Sequence, residues 1–167
     1  MLRTTNETLI RHATMNDLDA VTAVEAECFP AAEAAPRDSF ADRLNHFSEC
    51  FWLLFEDDKL ISFVNGMISD ESDLRDEMYH DASMHKPDGA WLMIFGVNTI
   101  PSRRKNGFAA QLLNEAIREA REKGCKGLVL TCKTHMLHYY AKFGFINEGL
   151  SESDHGGAQW YQMRLTF

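Results

Sequence analysis

The chain has 167 residues, a length that suits one hydrophobic core, and we expect a single domain over residues 1–167. It carries 17 Lys and Arg against 25 Asp and Glu, and the net charge of −8 disfavours nucleic acid as a partner and suits a cationic small molecule. No run approaches the roughly 20 apolar residues of a membrane span, and Met1 to Asn6 contain no apolar signal core. We therefore expect a cytoplasmic protein without a membrane partner.

The elements follow from the spacing of apolar residues and from turn and cap signals. In chain order we predict strand 8–12, helices 14–28 and 36–49, a hairpin with strands 51–55 and 60–68, a short helix at 74–79, strand 90–99, helix 107–123, strand 128–132, helix 136–143, and strands 145–148 and 159–167. Thr14 and Asp17 form a capping box at the first helix, and Pro30 ends it. The strand-helix order after residue 90, behind an antiparallel front half, predicts an α+β class with a mixed central sheet.

Cysteine and histidine patterns give no metal site. Four cysteines are scattered without a C-x-x-C pair, which predicts reduced and mostly buried thiols. His135 and His138 have no cysteine or carboxylate at ligand spacing beside them, so we expect no metal there. We interpret the polar cluster of His80, Asp81 and His85 as a solvated loop.

A basic, glycine-punctuated turn joins strand 90–99 to helix 107–123. At a helix start several backbone N–H groups lack intrahelical partners and point outward with the positive end of the helix dipole, which favours a phosphate. Gly107 permits a close approach, and Arg103, Arg104 and Lys105 add positive charge. The turn contains neither of two common phosphate-loop patterns, G-x-G-x-x-G and G-x-x-x-x-G-K-[ST].

Three segments carry a family resemblance. Arg104-x-x-Gly107-x-Ala109 resembles the R/Q-x-x-G-x-G/A signature of the GNAT superfamily of N-acetyltransferases, and Tyr140-x-Lys142-x-Gly144-Phe145 resembles the element that follows its fifth strand. The run from Phe29 to Ala35 is similar to the F-P-x-x-E-A-A segment of non-vertebrate arylalkylamine N-acetyltransferases and of polyamine acetyltransferases. The resemblance covers nearly the whole chain. It implies a mostly antiparallel sheet of six to seven strands, splayed at a bulge in the fourth strand, with helices on both faces.

The resemblance also implies a chemistry and the residues for it. It implies acetyl-CoA as cosubstrate, a small primary amine as acceptor and no metal. The departing thiolate is expected to take a proton from Tyr140, and Glu33 is expected to take a proton from the amine or to attract the ammonium. The positions expected to bind the coenzyme, with the bulge near the first three, are Phe95, Gly96, Val97, Arg104, Lys105, Asn106, Gly107, Phe108 and Ala109.

The sequence also departs from part of the family. Vertebrate relatives carry two histidines on the fourth strand where this chain has Trp91 and Met93, so a histidine water relay is unsupported. Trp91 and Phe29 are expected to form an aromatic wall for the amine. Loops 30–36 and 70–87 are expected to form the acceptor pocket. Acetylation of a protein N-terminus or lysine, and a non-catalytic acyl-CoA binding module, are the alternatives, and the chain is expected to be a monomer or a homodimer.

Overall fold

Seven strands form one sheet in the order β1-β2-β3-β4-β5-β7-β6, in a computed structural model that describes residues 7–167. The strands are β1 (Thr8–His12), β2 (Phe51–Glu56), β3 (Lys59–Ser69), β4 (Trp91–Thr99), β5 (Gly127–Cys132), β6 (Ile146–Leu150) and β7 (Tyr161–Thr166). Of these neighbours, β4 and β5 run parallel and the rest antiparallel, so the predicted mixed sheet is confirmed. The segment Met1 to Asn6, in which the sequence shows no signal core, lies outside the described residues.

The helices are α1 (Leu18–Cys28), α2 (Arg37–Phe47), α3 (Asp76–His80), α4 (Phe108–Glu122) and α5 (Leu137–Ala141). Three of the predicted helices are shorter than expected. Residues 15–17 and 48–50 form turns of 3₁₀-helix at the ends of the first two, and in the third Met136 ends a 3₁₀ turn and residues 142–144 form a turn. The capping box is confirmed: Thr14 donates its N–H to Asp17 at 2.8 Å and accepts a hydrogen bond from Asn16. None of the helices in residues 7–167 is long and apolar enough to cross a membrane.

The two faces of the sheet carry different helices. Phe51 stacks on Phe47 of α2 with ring centroids 6.4 Å apart, whereas the next residue, Trp52, donates its indole N–H to Glu119 of α4 at 2.7 Å. Since successive side chains of a strand point to opposite faces, α2 and α4 cover opposite faces. Helix α1 packs beside α2, which confirms the expectation of helices on both sides.

A bulge interrupts β4 where the sequence places it. Asn65 of β3 pairs with Gly96, but the next residue, Gly66, pairs with Ile94, so Phe95 is an extra residue on β4. A Cβ on Gly66 would lie 2.1 Å from the carbonyl oxygen of Met93. The two strands therefore approach closely at the bulge only because residue 66 has no side chain.

The parallel strands β4 and β5 separate just beyond the bulge. Their pairing runs from Trp91 and Gly127 to Ile94 and Leu130 and then stops, although both strands continue. The sheet is thus splayed at this point, and backbone groups of the second half of β4 lack a β5 partner on that side.

Candidate active site

A cavity of about 780 Å³ opens where β4 and β5 separate. Its volume is in the range of pockets that bind small molecules and cofactors. It runs from the start of α4, past the bulge, to the loop after α1 and to the loop between β6 and β7. It brings together all but one of the residues predicted for the site: Phe29, Glu33, Phe95, Gly96, Val97, Arg104, Lys105, Asn106, Gly107, Phe108, Ala109 and Tyr140.

Trp91 is the predicted residue that does not line this cavity. It lies at the first position of β4 and pairs with Gly127, whereas the bulge is in the second half of the strand. The guanidinium carbon of Arg164 lies 4.5 Å from the centre of its ring. The structure therefore places Trp91 away from the residues expected to bind the amine, and its aromatic face is already covered by a cation.

The turn before α4 presents backbone N–H groups to the cavity. Gly107 is the N-cap of α4 with φ of +78°, a left-handed conformation that favours glycine, and no side chain caps the helix. Asn106 donates its amide N–H to the carbonyl oxygens of Arg103 and Arg104 at 3.0 and 3.1 Å, which fixes the turn. The first N–H groups of α4 are therefore left for a ligand, at the positive end of the helix dipole.

The two arginines of this turn have different roles. Arg103 forms an ion pair with Glu56 at 2.5 Å, and its guanidinium carbon lies 5.5 Å from the centre of the Phe108 ring. Arg104 donates its Nε–H to the carbonyl of Thr99 at 3.1 Å and has no ion-pair partner among the described residues. Of these two cations, Arg104 is therefore the one suited to a phosphate group.

Tyr140 lies at the opposite side of the cavity, on α5. Only 7% of the residue is exposed, and its ring packs edge-on against Tyr139 and Phe145 with centroids 5.1 and 6.1 Å away. Burial raises the pKa of the Tyr140 hydroxyl above its ordinary value. Burial thus favours the protonated form of this hydroxyl.

Glu33 lies at the mouth of the cavity and is already paired. Its carboxylate forms an ion pair with Lys133 at 2.5 Å, and Lys133 lies 5.5 Å from the centre of the Trp160 ring. Its backbone carbonyl accepts a hydrogen bond from Nε2 of His155 at 2.7 Å. The loop after α1 is thus joined to the loop between β6 and β7, and both loops line the cavity.

A buried polar network that the sequence analysis missed also lines the cavity. It consists of Glu25 on α1, Arg43 on α2, Asn65 on β3 and Asn98 on β4, each at most 7% exposed. Asn98 donates its amide N–H to Glu25 at 2.6 Å, and Arg43 donates to the amide oxygen of Asn65 at 3.0 Å. The signal available was a pair of asparagines inside apolar strand segments, which is unusual unless they have buried partners.

Aromatic rings form another wall of the cavity. Tyr79 lies 4.7 Å from Phe95 between ring centroids and stacks nearly parallel on His155 at 5.5 Å. Trp160 is 6.1 Å from His155, and Phe29 also lines the cavity. Of this wall the sequence predicted Phe29 and, through the bulge, Phe95. Tyr79 lies on the short helix α3, and His155 and Trp160 lie in the loop before β7, which shows no periodic pattern.

A second polar cluster lies outside the cavity. Glu49, Cys50 and His85 bring potential ligand atoms within 4.8 Å of one another, and the His85 side chain is only 5% exposed, which corrects its interpretation as part of a solvated loop. However, Nδ1 of His85 accepts the N–H of Ile68 at 3.1 Å, so the ring proton is on Nε2. A protonated Nε2 has no lone pair for a metal ion, and here it faces the carboxylate of Glu49. We therefore interpret the three residues as a packed structural cluster.

Replacing His85 by glutamine should reduce the loss of stability in acid. Burial lowers the pKa of His85, so below about pH 6.5 the unfolded chain takes up a proton that the folded chain excludes, and the free energy of unfolding falls as pH falls. Glutamine can still accept the Ile68 N–H but does not titrate. Urea unfolding at about pH 7.5 and about pH 5.5 should show a smaller drop for the variant, and an equal drop in both proteins would contradict this assignment.

A mixed sheet splayed at a bulge, with a helix N-terminus facing the gap, is the architecture of the acyl-CoA-dependent acetyltransferases. The chain belongs to this class: the model of the acetyltransferase (GNAT) family matches residues 18–145. Among curated proteins no match is found.

Solved structures show the same fold. The loading GNATL domain of CurA from Lyngbya majuscula is 15% identical over 96% of this chain and 98% of that one, with a TM-score of 0.83. The GphF GNAT-like decarboxylase in complex with isobutyryl-CoA is 22% identical over 95% and 98%, with a TM-score of 0.82. The ribosomal-protein-S18-alanine N-acetyltransferase from Escherichia coli is 17% identical over 96% and 94%, with a TM-score of 0.71. At these identities the likeness is one of fold.

Proposed function

We propose that this protein transfers the acetyl group of acetyl-CoA to the primary amine of a small molecule, an arylalkylamine or a polyamine, in the cytoplasm. The observation that carries the proposal is one continuous cavity that joins the start of α4, the bulge of β4 and Tyr140. These are the three parts that a thioester donor needs: a phosphate site, a site for the reacting carbonyl and a proton donor.

The donor half of the cavity suits acetyl-CoA. The N–H groups at the start of α4 and Arg104 bind the pyrophosphate, while unpaired backbone groups from Phe95 to Val97 bind the amide groups of pantetheine. Backbone N–H donors at the bulge also stabilise the oxyanion that forms when the amine attacks the carbonyl. Lys105, Asn106, Phe108 and Ala109 complete the turn around the coenzyme.

The acceptor half suits a small amine with an apolar body. Its aromatic wall offers ring faces to an aryl or methylene group, and its carboxylates, Glu33 and Glu25, attract an ammonium. The two loops that meet at Glu33 and His155 narrow one side of the cavity, which disfavours an extended peptide. A Cβ on Gly156 would lie only 2.6 Å from the Glu33 side chain, so these loops are in direct contact.

The reaction is direct attack of a neutral amine on the thioester. An alkylamine is mostly protonated at pH 7, so a carboxylate has to remove a proton before attack, and Glu33 is the candidate for that step or for attracting the ammonium. As the tetrahedral intermediate collapses, the carbon–sulfur bond breaks and Tyr140 gives its proton to the departing thiolate. The Tyr140 phenolate is then reprotonated, through solvent, by the proton that the amine nitrogen loses.

Replacing Arg104 by alanine should weaken acetyl-CoA binding about ten- to a hundredfold with little change in kcat. A charge-assisted hydrogen bond to phosphate contributes about 1.5–3 kcal/mol to binding. Because it stabilises the ground state and the transition state equally, its loss weakens binding but hardly changes kcat. Calorimetric titration with acetyl-CoA measures the change. Arg121→Ala is the matched control, because Arg121 is near the other end of α4 and packs on Phe167. Equal affinities for the Arg104 and Arg121 variants would remove Arg104 from the donor site.

The acceptor class is tested by comparing kcat/KM for tryptamine, spermidine and a set of N-terminal and lysine peptides, with release of free CoA as the readout. The contact between the loop after α1 and the loop before β7 narrows this side of the cavity, and we therefore expect small amines to be preferred by at least tenfold. Activity confined to peptides would contradict the small-molecule proposal, and tight acetyl-CoA binding without turnover on any acceptor would favour a non-catalytic binding module.

A further inference from the structure

We propose that Glu25 is the residue that takes the proton from the attacking amine, in a polar gap beside Gly96, while Glu33 attracts the ammonium at the mouth. This inference rests on the proposed acetyl transfer and assigns one of its steps. Four observations on the described residues carry it.

The gap is created by the missing side chain of Gly96. A Cβ on Gly96 would lie 3.1 Å from Oδ1 of Asn98, 3.5 Å from Nδ2 of Asn65 and 4.0 Å from Oε1 of Glu25. Two oxygens and an amide nitrogen therefore converge on one small volume. Since Gly96 directly follows the extra residue of the bulge, this volume adjoins the place where the thioester carbonyl is expected.

Asn98 offers an acceptor atom that nothing in the chain uses. Its Oδ1 is buried and has no hydrogen-bond partner among the described residues, although its Nδ2 donates to Glu25. A buried acceptor without a donor costs about 1–3 kcal/mol, so the site is suited to a ligand with N–H or O–H groups. An amine, or a water between the amine and Glu25, supplies such a donor.

The orientation of the amides is fixed from the opposite side. Arg43 donates to Oδ1 of Asn65, which turns Nδ2 of Asn65 toward the gap, and Arg43 is itself held by the carbonyl of Tyr79 at 3.0 Å. The N–H of Ala35 donates to the second oxygen of Glu25 at 2.9 Å. The N–H groups of Ala35 and Asn98 thus hold the Glu25 carboxylate in place. Its remaining lone pairs are left to accept a proton.

The environment of Glu25 suits a base. Burial raises the pKa of Glu25, against the hydrogen bonds from Ala35 and Asn98 and the charge of Arg43 on α2; His155 in the loop before β7 also faces it. Cys28 and Tyr79 are the other titratable groups that face it. A raised pKa brings a carboxylate closer to the pH at which it must accept a proton. Glu33, in contrast, is held through Oε1 by a direct ion pair with Lys133, and its carboxylate still adds negative charge to the cavity.

The protons balance over the cycle. The bound ammonium loses one proton to Glu25, which passes it to solvent through the cavity mouth, and the nitrogen then forms a bond to the thioester carbon. The intermediate loses a second proton from nitrogen to Glu25, and the thiolate gains one from Tyr140 as the carbon–sulfur bond breaks. Glu25 then returns this second proton through solvent to the Tyr140 phenolate, which restores both residues. The products are the N-acetylated amine and CoA with its thiol restored.

The test compares pH profiles of kcat for wild type, Glu25→Gln, Glu33→Gln and Glu27→Gln with an amine that the wild type acetylates. Glutamine keeps the size of Glu25, and Asn98 can turn its amide over to remain bonded. We expect Glu25→Gln to lower kcat about hundredfold at pH 7 and to remove the acidic limb, with acetyl-CoA affinity within about twofold. Glu33→Gln should mainly raise the KM for the amine and keep the limb, and the exposed Glu27 is the matched control on α1.

A Glu25→Gln enzyme that keeps the acidic limb, or a Glu33→Gln enzyme that loses it, would overturn the assignment while leaving acetyl transfer intact. A wild type that acetylates no amine would instead overturn the proposed function. The role of Glu25 also has a readout without turnover: in the carbon-13 NMR spectrum of wild type with CoA, a bound amine should shift the titration of the Glu25 carboxyl. No shift with an amine that binds would contradict the inference.

Discussion

Replacing Tyr140 by phenylalanine should lower kcat for acetyl transfer about a thousandfold and leave the dissociation constant of acetyl-CoA within about twofold. Proton transfer from a positioned acid contributes about a hundred- to ten-thousandfold, and a thiolate leaving an enclosed cavity has few other donors. Because the hydroxyl is lost but the ring remains, the packing on Tyr139 and Phe145 is kept. Steady-state kinetics and calorimetry on the same preparation separate the two quantities.

Tyr139→Phe is the matched control for this experiment. Tyr139 precedes Tyr140 on α5 and lines the same cavity. Its substitution also removes one hydroxyl group, but Tyr139 has no role in the proposed chemistry. Its variant should keep kcat within about threefold. If Tyr140→Phe retained the wild-type rate across the pH range, Tyr140 would not be the acid.

Replacing Gly66 by alanine should lower the free energy of unfolding by about 3 kcal/mol and abolish measurable acetyl-CoA binding. The new Cβ would lie 2.1 Å from the carbonyl oxygen of Met93, and no side-chain rotation relieves a contact with backbone. Strands β3 and β4 have to move apart at the bulge, which displaces the backbone groups expected to hold pantetheine. Urea unfolding and calorimetry with acetyl-CoA measure the two effects.

Gly124→Ala serves as the comparison for Gly66→Ala. Gly124 has φ of +85° at the end of α4, and a Cβ there meets no atom within 4 Å. Alanine should therefore cost about 1 kcal/mol through backbone strain and leave acetyl-CoA binding unchanged. If the two variants were equally stable and both bound acetyl-CoA, close approach at residue 66 would not be what maintains the bulge.

The donor half of the site was predictable because its chemistry is local. The turn before α4 joins a buried strand to an amphipathic helix within a few residues, and Gly107 and Arg104 mark it directly. The bulge was placed correctly near Gly96, but Gly66, which makes room for it, was not recognised. The need for glycine at this position is visible only once the pairing register of β3 and β4 is known.

Of the part of the cavity proposed for the acceptor, local patterns indicated Phe29 and Glu33 but not the buried polar network. Glu25, Arg43 and Asn98 come from three different elements and meet only after the helices pack on the sheet. Trp91 shows the converse error: it is on the predicted strand, but at the end remote from the bulge. His85 lies in a charged segment, yet tertiary packing buries it, and composition does not report such burial.

The most direct measurement of the central claim is the mass and amount of product formed when wild type is incubated with acetyl-CoA and tryptamine or spermidine. The structure predicts one N-acetylated amine for each CoA released, with no product when either substrate is omitted. Release of CoA without an acetylated amine, or no release with any amine or peptide, would contradict the assignment of this cavity to acetyl transfer between a coenzyme thioester and an amine.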